Sequence, residues 1–127
     1  MKIMLVDDEP DIRLIERIIL EKAGYEVIET ESGEDCLERL KTEKPDIILL
    51  DVMMPGINGW ETAKQIKGDE KTKEIPVIMV TVRGSEEDME KSFQYGKSDG
   101  HVSKPIIKDK LINTIEWILK TKGIKGG

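Results

Sequence analysis

The sequence predicts an α/β fold, a doubly wound parallel sheet of five strands with five helices. Three observations carry this. Residues 3–6, 47–50 and 77–80 are short, unbroken apolar runs, the pattern of strands buried on both faces. Stretches with apolar residues at helical spacing fill the intervals between them. Glycine and proline (Gly24, Pro45, Pro76) stand where one period gives way to the other.

The elements follow in order. Residues 3–6 form the first strand. Pro10 suits the first turn of a helix, Asp11 follows near its positive end, and Ile12, Ile15 and Ile19 mark its buried stripe, with Gly24 as its stop. Residues 25–30 are a weaker second strand. Ser32 reads as an N-cap for a second helix whose stripe is Cys36, Leu37 and Leu40, ended by Pro45. The third strand, 47–50, leads to a third helix from about Asn58 to Lys67. A charged loop, 68–74, then returns through Pro76 to the fourth strand at 77–80. Ser85 and the acids Glu86, Glu87 and Asp88 open a fourth helix with a thin apolar face of Met89 and Phe93. Residues 100–103 are the fifth strand, like 25–30 weaker and less apolar, and the last helix runs over 108–121 with Leu111, Ile115, Ile118 and Leu119 on one side. The glycine-rich residues 122–127 are expected to be a frayed tail after a single domain over 1–121.

Composition narrows the function. Twenty Lys and Arg against 26 Asp and Glu leave a net charge of −6, which argues against nucleic acid or an anionic membrane as partner. The 38% hydrophobic content suffices for a core, and with 4% aromatics that core must be aliphatic. No apolar run approaches the roughly 20 residues of a membrane span and no signal-peptide pattern is present. Cys36, the single cysteine, excludes an intrachain disulfide framework. The expectation is a soluble cytoplasmic protein.

In parallel sheets of this type ligands collect at the carboxyl ends of the strands, where strand order reverses. The first strand ends in Asp7-Asp8-Glu9, the third in Asp51, the fourth in Thr81 and the fifth in Lys104-Pro105. Each alone is an ordinary loop residue or cap. Together, at one sheet edge, they bring carboxylates, a hydroxyl and an ammonium group to one place.

These motifs resemble the receiver domain of two-component response regulators. They are Leu5-Val6-Asp7-Asp8-Glu9, Leu50-Asp51-Val52-Met53-Met54-Pro55-Gly56 with Asn58-Gly59, Thr81, and Lys104-Pro105. The resemblance spans residues 2–121 and implies a flavodoxin-like sheet in the order 2-1-3-4-5. It implies that Asp51 takes a phosphoryl group from a kinase phosphohistidine, giving an acyl phosphate. Clustered carboxylates repel one another and an incoming phosphoryl group adds charge, so a divalent cation is needed, and Mg²⁺ suits oxygen ligands. By resemblance Asp8, Asp51 and the Met53 backbone carbonyl are ligands, with Asp7 beside them. Lys104 pairs with Asp51 and then with a phosphoryl oxygen, and Thr81 donates to another. Pro55 and Gly56 shape the turn between. Thr81 and His101 hold the positions of the family's switch residues. The implied partners are a histidine kinase or phosphotransfer protein and a downstream protein target, met through the fourth helix, fifth strand and fifth helix, with phosphorylation-dependent dimerisation as one mode of response. The implied chain is a switch rather than an enzyme. Three positions depart from the pattern. Val82 replaces a small residue and should narrow access to the site, His101 replaces an aromatic, and Lys97 replaces a glycine.

Other readings are weaker. Cys36 falls on a buried stripe and reads as core. His101 lacks a second histidine with which to bind metal. Trp60 is as suited to packing as to partner contact, whereas Trp117 lies opposite the last helix's stripe and is a candidate interface anchor. A flavin binder would need a phosphate cradle where Asp7-Asp8-Glu9 would repel phosphate. An Mg²⁺-dependent aspartyl-phosphate hydrolase of the haloacid dehalogenase type would carry its nucleophile after the first strand. A receiver module belonging to a longer regulator or hybrid kinase is the main alternative to a stand-alone switch.

Overall fold

The computed structural model describes residues 1–54, 56–82 and 99–123. Pro55, the helix expected from Ser85, Lys97, the Val82 side chain and residues 124–127 lie outside the described residues. Nine elements follow one another: β1 (Lys2–Val6), α1 (Pro10–Lys22), β2 (Glu26–Thr30), α2 (Gly33–Arg39), β3 (Ile47–Asp51), α3 (Gly59–Gly68), β4 (Val77–Val82), β5 (Gly100–Lys104) and α4 (Lys108–Thr121). Four helices are present among the described residues, and the fifth expected, from Ser85, lies outside them.

All strand pairs are parallel and the sheet order is β2-β1-β3-β4-β5. Because the strands alternate sides, β1 sends Ile3 and Leu5 to one face and Met4 and Val6 to the other. The first face packs with Leu20 of α1 and with Leu111, Ile115, Ile118 and Leu119 of α4. The second packs with Cys36 of α2 and Ala63 and Ile66 of α3, as the apolar stripe around Cys36 predicts. Strand order reverses at β1, with β2 added on one side and β3 on the other, which opens a crevice at the carboxyl ends of β1 and β3.

The buried stripe of α1 differs from the expected one. Ile15 is 44% exposed, Ile12 and Ile19 are half-buried, and Glu16 and Leu20 take the inner face. Polar contacts at the sheet edge explain the rotation. Arg13 Nε and Arg17 Nη1 donate to the Glu29 carboxylate on β2 at 3.3 and 2.7 Å, and Arg13 Nη1 donates to the Asp7 carbonyl at 2.6 Å. Six apolar residues spread around α1 leave no face uniquely hydrophobic, so these bonds decide which side turns inward.

The helix starts follow the sequence signals. Ser32 Oγ accepts from the Asp35 N–H and Asn58 Oδ1 from the Glu61 N–H, each at 3.0 Å. The helix expected to continue toward Pro45 ends earlier, at Arg39. At the amino-terminal sheet edge Lys67 Nζ donates to Asp99 Oδ2 at 2.9 Å and to the Ile75 carbonyl at 2.7 Å, tying α3 to the entry of β4 and β5. No helix among the described residues is long and apolar enough to cross a membrane.

Candidate functional site

The strand ends meet as the sequence predicts. Asp51 closes β3 with its backbone in register with Val80 of β4, and Thr81, buried, follows on the neighbouring strand opposite Ser103 of β5. Asp7 follows β1, its N–H donating to the Thr30 carbonyl at 3.3 Å. Lys104 ends β5 and reaches back over the crevice. Its Nζ lies 3.3 Å from Asp51 Oδ1, 3.4 Å from Asp7 Oδ2 and 3.3 Å from Glu9 Oε1. Asp8 and Glu9 are exposed at the mouth, and Asp7 and Asp51 are buried beneath them.

Carboxylate oxygens of Asp7, Asp8, Glu9 and Asp51 all lie within 4.8 Å of one another. One ammonium group serves this cluster, so charge is under-compensated. Burial, with the Asp7 charge added to it, pushes the Asp51 pKa up to about 6 against the pull of Lys104 and the Met53 N–H. Burial likewise raises Asp7, despite the Glu9 N–H donating to its Oδ1 at 2.9 Å. Burial pulls the Lys104 ammonium down, but Asp51, Asp7 and Glu9 outweigh that and leave its pKa raised. Among the described residues, Asp7 Oδ2 and Asp51 Oδ2 are buried without a hydrogen-bond donor, Lys104 standing off the hydrogen-bonding direction of the former.

Those two orphaned oxygens, set among hard oxygen donors, fit a divalent cation. Asp7, Asp8 and Asp51 are placed to hold one. The Met53 N–H approaches Asp51 Oδ1 at 3.4 Å, and Met53 as a whole is 66% exposed at the mouth of the site. The turn after Met53 is held from α2. Glu34 Oε2 accepts from the Ile57 N–H at 3.3 Å, and Gly56 has the positive φ of 76° that the turn requires. Gly59 lets the start of α3 lie directly on the Asp51 carbonyl and 2.7 Å from Val52 Cα, measured from where a Cβ would stand.

His101 is separate from this cluster. It is half-buried in β5 in register with Met79, burial lowers its pKa, and it lines a cavity of about 350 Å³ with Lys104, Ile107, Lys110 and Thr114. A larger groove of about 1070 Å³, floored by Leu37, Leu40 and Ile75, follows the ends of α2 and α3, away from the acids. Sequence reasoning placed Glu9 at the strand end but gave it no contact, and it passed over Glu16 and Arg13. Arg13 is signalled only by its spacing of six from Asp7, whose carbonyl it binds.

A five-stranded parallel sheet carrying a buried aspartate, an acidic rim, a hydroxyl and a lysine at its carboxyl edge defines the class of phosphoryl-accepting α/β switch modules. Within that class the chain belongs to the response regulator receiver domain family, whose model matches residues 3–116. It is 38% identical over 121 residues to the phosphate regulon transcriptional regulatory protein PhoB of Pseudomonas aeruginosa, covering 95% of this chain and 52% of that protein. The chain therefore spans about half the length of that relative. Protein PilH of the same organism is 36% identical, with 93% of this chain and 97% of that protein covered. Among solved structures, a response regulator from Chloroflexus aurantiacus superposes with a TM-score of 0.90 at 29% identity, covering 94% of this chain and 97% of that one. CheY4 of Vibrio cholerae superposes with a TM-score of 0.86 at 30% identity, over 93% and 98% of the two chains. A two-component receiver, operated by phosphorylation, is what this fold and family define.

Proposed function

We propose that Asp51 is the phosphoacceptor of this receiver and that Asp7, Asp8, Asp51 and the Met53 backbone carbonyl hold Mg²⁺ beside it. The observation that carries this is the buried Asp51 carboxylate, with one oxygen beside Lys104 and the other without a donor among the described residues. A bound cation would supply positive charge against the repulsion of the acids and the phosphoryl oxygens.

An Asp51 oxygen attacks the phosphorus of a phosphohistidine. The phosphorus–nitrogen bond breaks, its electron pair leaves with the imidazole, which takes up a proton, and an acyl phosphate remains on Asp51. Lys104 exchanges its Asp51 oxygen for a phosphoryl oxygen, and the Thr81 hydroxyl donates to another. Water later attacks the phosphorus and returns Asp51 as carboxylate with inorganic phosphate, so the chain resets itself without turning over a substrate. Response passes through β5 and α4, with Thr81 and His101 as switch residues, to a protein target. The donor is a histidine kinase or phosphotransfer protein, the setting is cytoplasmic, and residues 1–121 are the working domain.

Incubation with acetyl phosphate and Mg²⁺ tests this by mass spectrometry of the intact chain and its peptides. One phosphoryl group on Asp51, lost in Asp51→Asn, is the expected result. Phosphate on serine or threonine would overturn the mechanism, and sustained turnover of a small phosphate ester would favour a hydrolase.

A further inference from the structure

In the middle of α1 a glutamate takes a place suited to an aliphatic side chain. Glu16 is 2% exposed, while Leu14, Ile15 and Ile18 around it face solvent. Its carboxyl group enters no hydrogen bond or ion pair among the described residues, yet its oxygens are not sealed from solvent as Asp7 Oδ2 and Asp51 Oδ2 are. Its place in the fold explains what surrounds it. The helix starts at the carboxyl edge of the sheet, and Leu20, one turn beyond Glu16, is already in the core. Glu16 therefore lies one turn nearer the edge, on the face where the β1 row of Ile3 and Leu5 continues into Asp7 and the β3 row of Ile47 and Leu49 into Asp51.

The charges that act on Glu16 come from three strands. Asp7 and Asp51 disfavour its ionisation, and Lys104 favours it. On β2, Glu29 is turned to Arg13 and Arg17, and α4 contributes Leu111 and Ile115 to this layer. Burial first, then Asp7, holds the Glu16 pKa up at about 8, so near neutrality the group is a neutral acid.

We propose that Glu16 is a proton-linked positioning residue of the acceptor pocket: it keeps its proton while the acids stand alone and releases it to solvent when a divalent cation joins them, so that cation affinity rises with pH. The inference rests on the metal-site reading above. A doubly charged ion among Asp7, Asp8 and Asp51 opposes the two charges that keep Glu16 protonated, in a site where Coulomb interactions are weakly screened. Release of one proton on binding makes affinity climb until the free protein is itself ionised at that position, roughly tenfold between pH 7 and pH 9.

Calorimetric titration with Mg²⁺ tests this at pH 7 and pH 9, in buffers of different ionisation enthalpy so that protons are counted. The full chain should release close to one proton per Mg²⁺ at pH 7 and almost none at pH 9, with the tenfold gain in affinity. Glu16→Gln, and Glu16→Leu as a second packing solution, should bind Mg²⁺ with little pH dependence over that range. The carboxyl resonance of Glu16 in the metal-free protein should titrate near pH 8. Mg²⁺ binding with the same proton count in all three proteins would overturn the role of Glu16 and leave the metal site standing. No Mg²⁺ binding at either pH would overturn both.

Discussion

Lys104 stands between three carboxylates, and its one charge does not offset what burial and Asp7 do to Asp51. Because the fold raises the Asp51 pKa from an ordinary 3.8 to about 6, the native state binds that proton more tightly than the unfolded chain does. The stabilisation this gives is fully present below about pH 3.8 and is lost as pH rises through 6. Asparagine is neutral throughout and stays like the protonated form. Urea unfolding of wild type and Asp51→Asn should therefore show the variant gaining on the wild type by roughly 1–2 kcal/mol between pH 5 and pH 8. A gap that narrows over that range would mean that Lys104 outweighs burial. Attack needs the ionised carboxylate, so labelling by acetyl phosphate should also rise from pH 5 to pH 7 and level off. Asp7, Asp8, Asp51 and Thr81 stood out because each follows an unmistakable apolar run, whereas Lys104 follows the weakly apolar β5 and stood out through its Lys-Pro pair. Glu16 was not, since a glutamate between Ile15 and Arg17 reads as a solvated position until the contacts of Arg13 and Arg17 with Glu29 fix the helix's rotation.

Elements matter to the site chiefly through how closely they dock. The apolar runs marked all three central strands, although β4 extends to Val82, two residues past its apolar run, and α2 stops short of the expected end. The start of α3 was readable from Asn58, but its intimacy with β3 was not, because a glycine announces freedom without saying what approaches it. Two neighbouring substitutions separate these roles. Asn58→Ala removes the cap on the Glu61 N–H and should cost about 1 kcal/mol, with Asp51 labelled at nearly the wild-type rate. Gly59→Ala puts a methyl group against the Asp51 carbonyl and Val52 Cα, backbone that cannot yield without moving the acceptor. It should cost about 1–3 kcal/mol and slow labelling as well. Equal labelling by both variants at matched stability would show that the docking of α3 does not set the position of Asp51.

At the scale of the whole molecule, the alternation of strands and helices implied a parallel sheet with right-handed crossovers, while the order 2-1-3-4-5 came from the resemblance to receiver domains and is the order observed. The surface was harder to read, and α1 shows why. With Ile15 and Ile18 turned outward beside Leu14, the helix presents three large apolar side chains at 44%, 45% and 55% exposure, and Ile107 is exposed just beyond Lys104-Pro105. Both elements leave the sheet at its carboxyl edge, on the rim of the acidic pocket. On the mechanism proposed above, a protein that delivers a phosphohistidine to Asp51 would have to cover that rim, whereas acetyl phosphate need only enter it. Exposed apolar side chains clustered on one helix, as Leu14, Ile15 and Ile18 are, are what a partner buries. Ile15→Glu with Ile18→Glu should therefore slow phosphotransfer from a phosphorylated kinase or phosphotransfer domain by tenfold or more, about 1.4 kcal/mol, and leave labelling by acetyl phosphate unchanged. The ratio of the two rates is the measurement, because a misfolded variant would lose both. Equal loss by both routes would assign these residues to the fold, and no loss by either would move the donor's footprint away from α1.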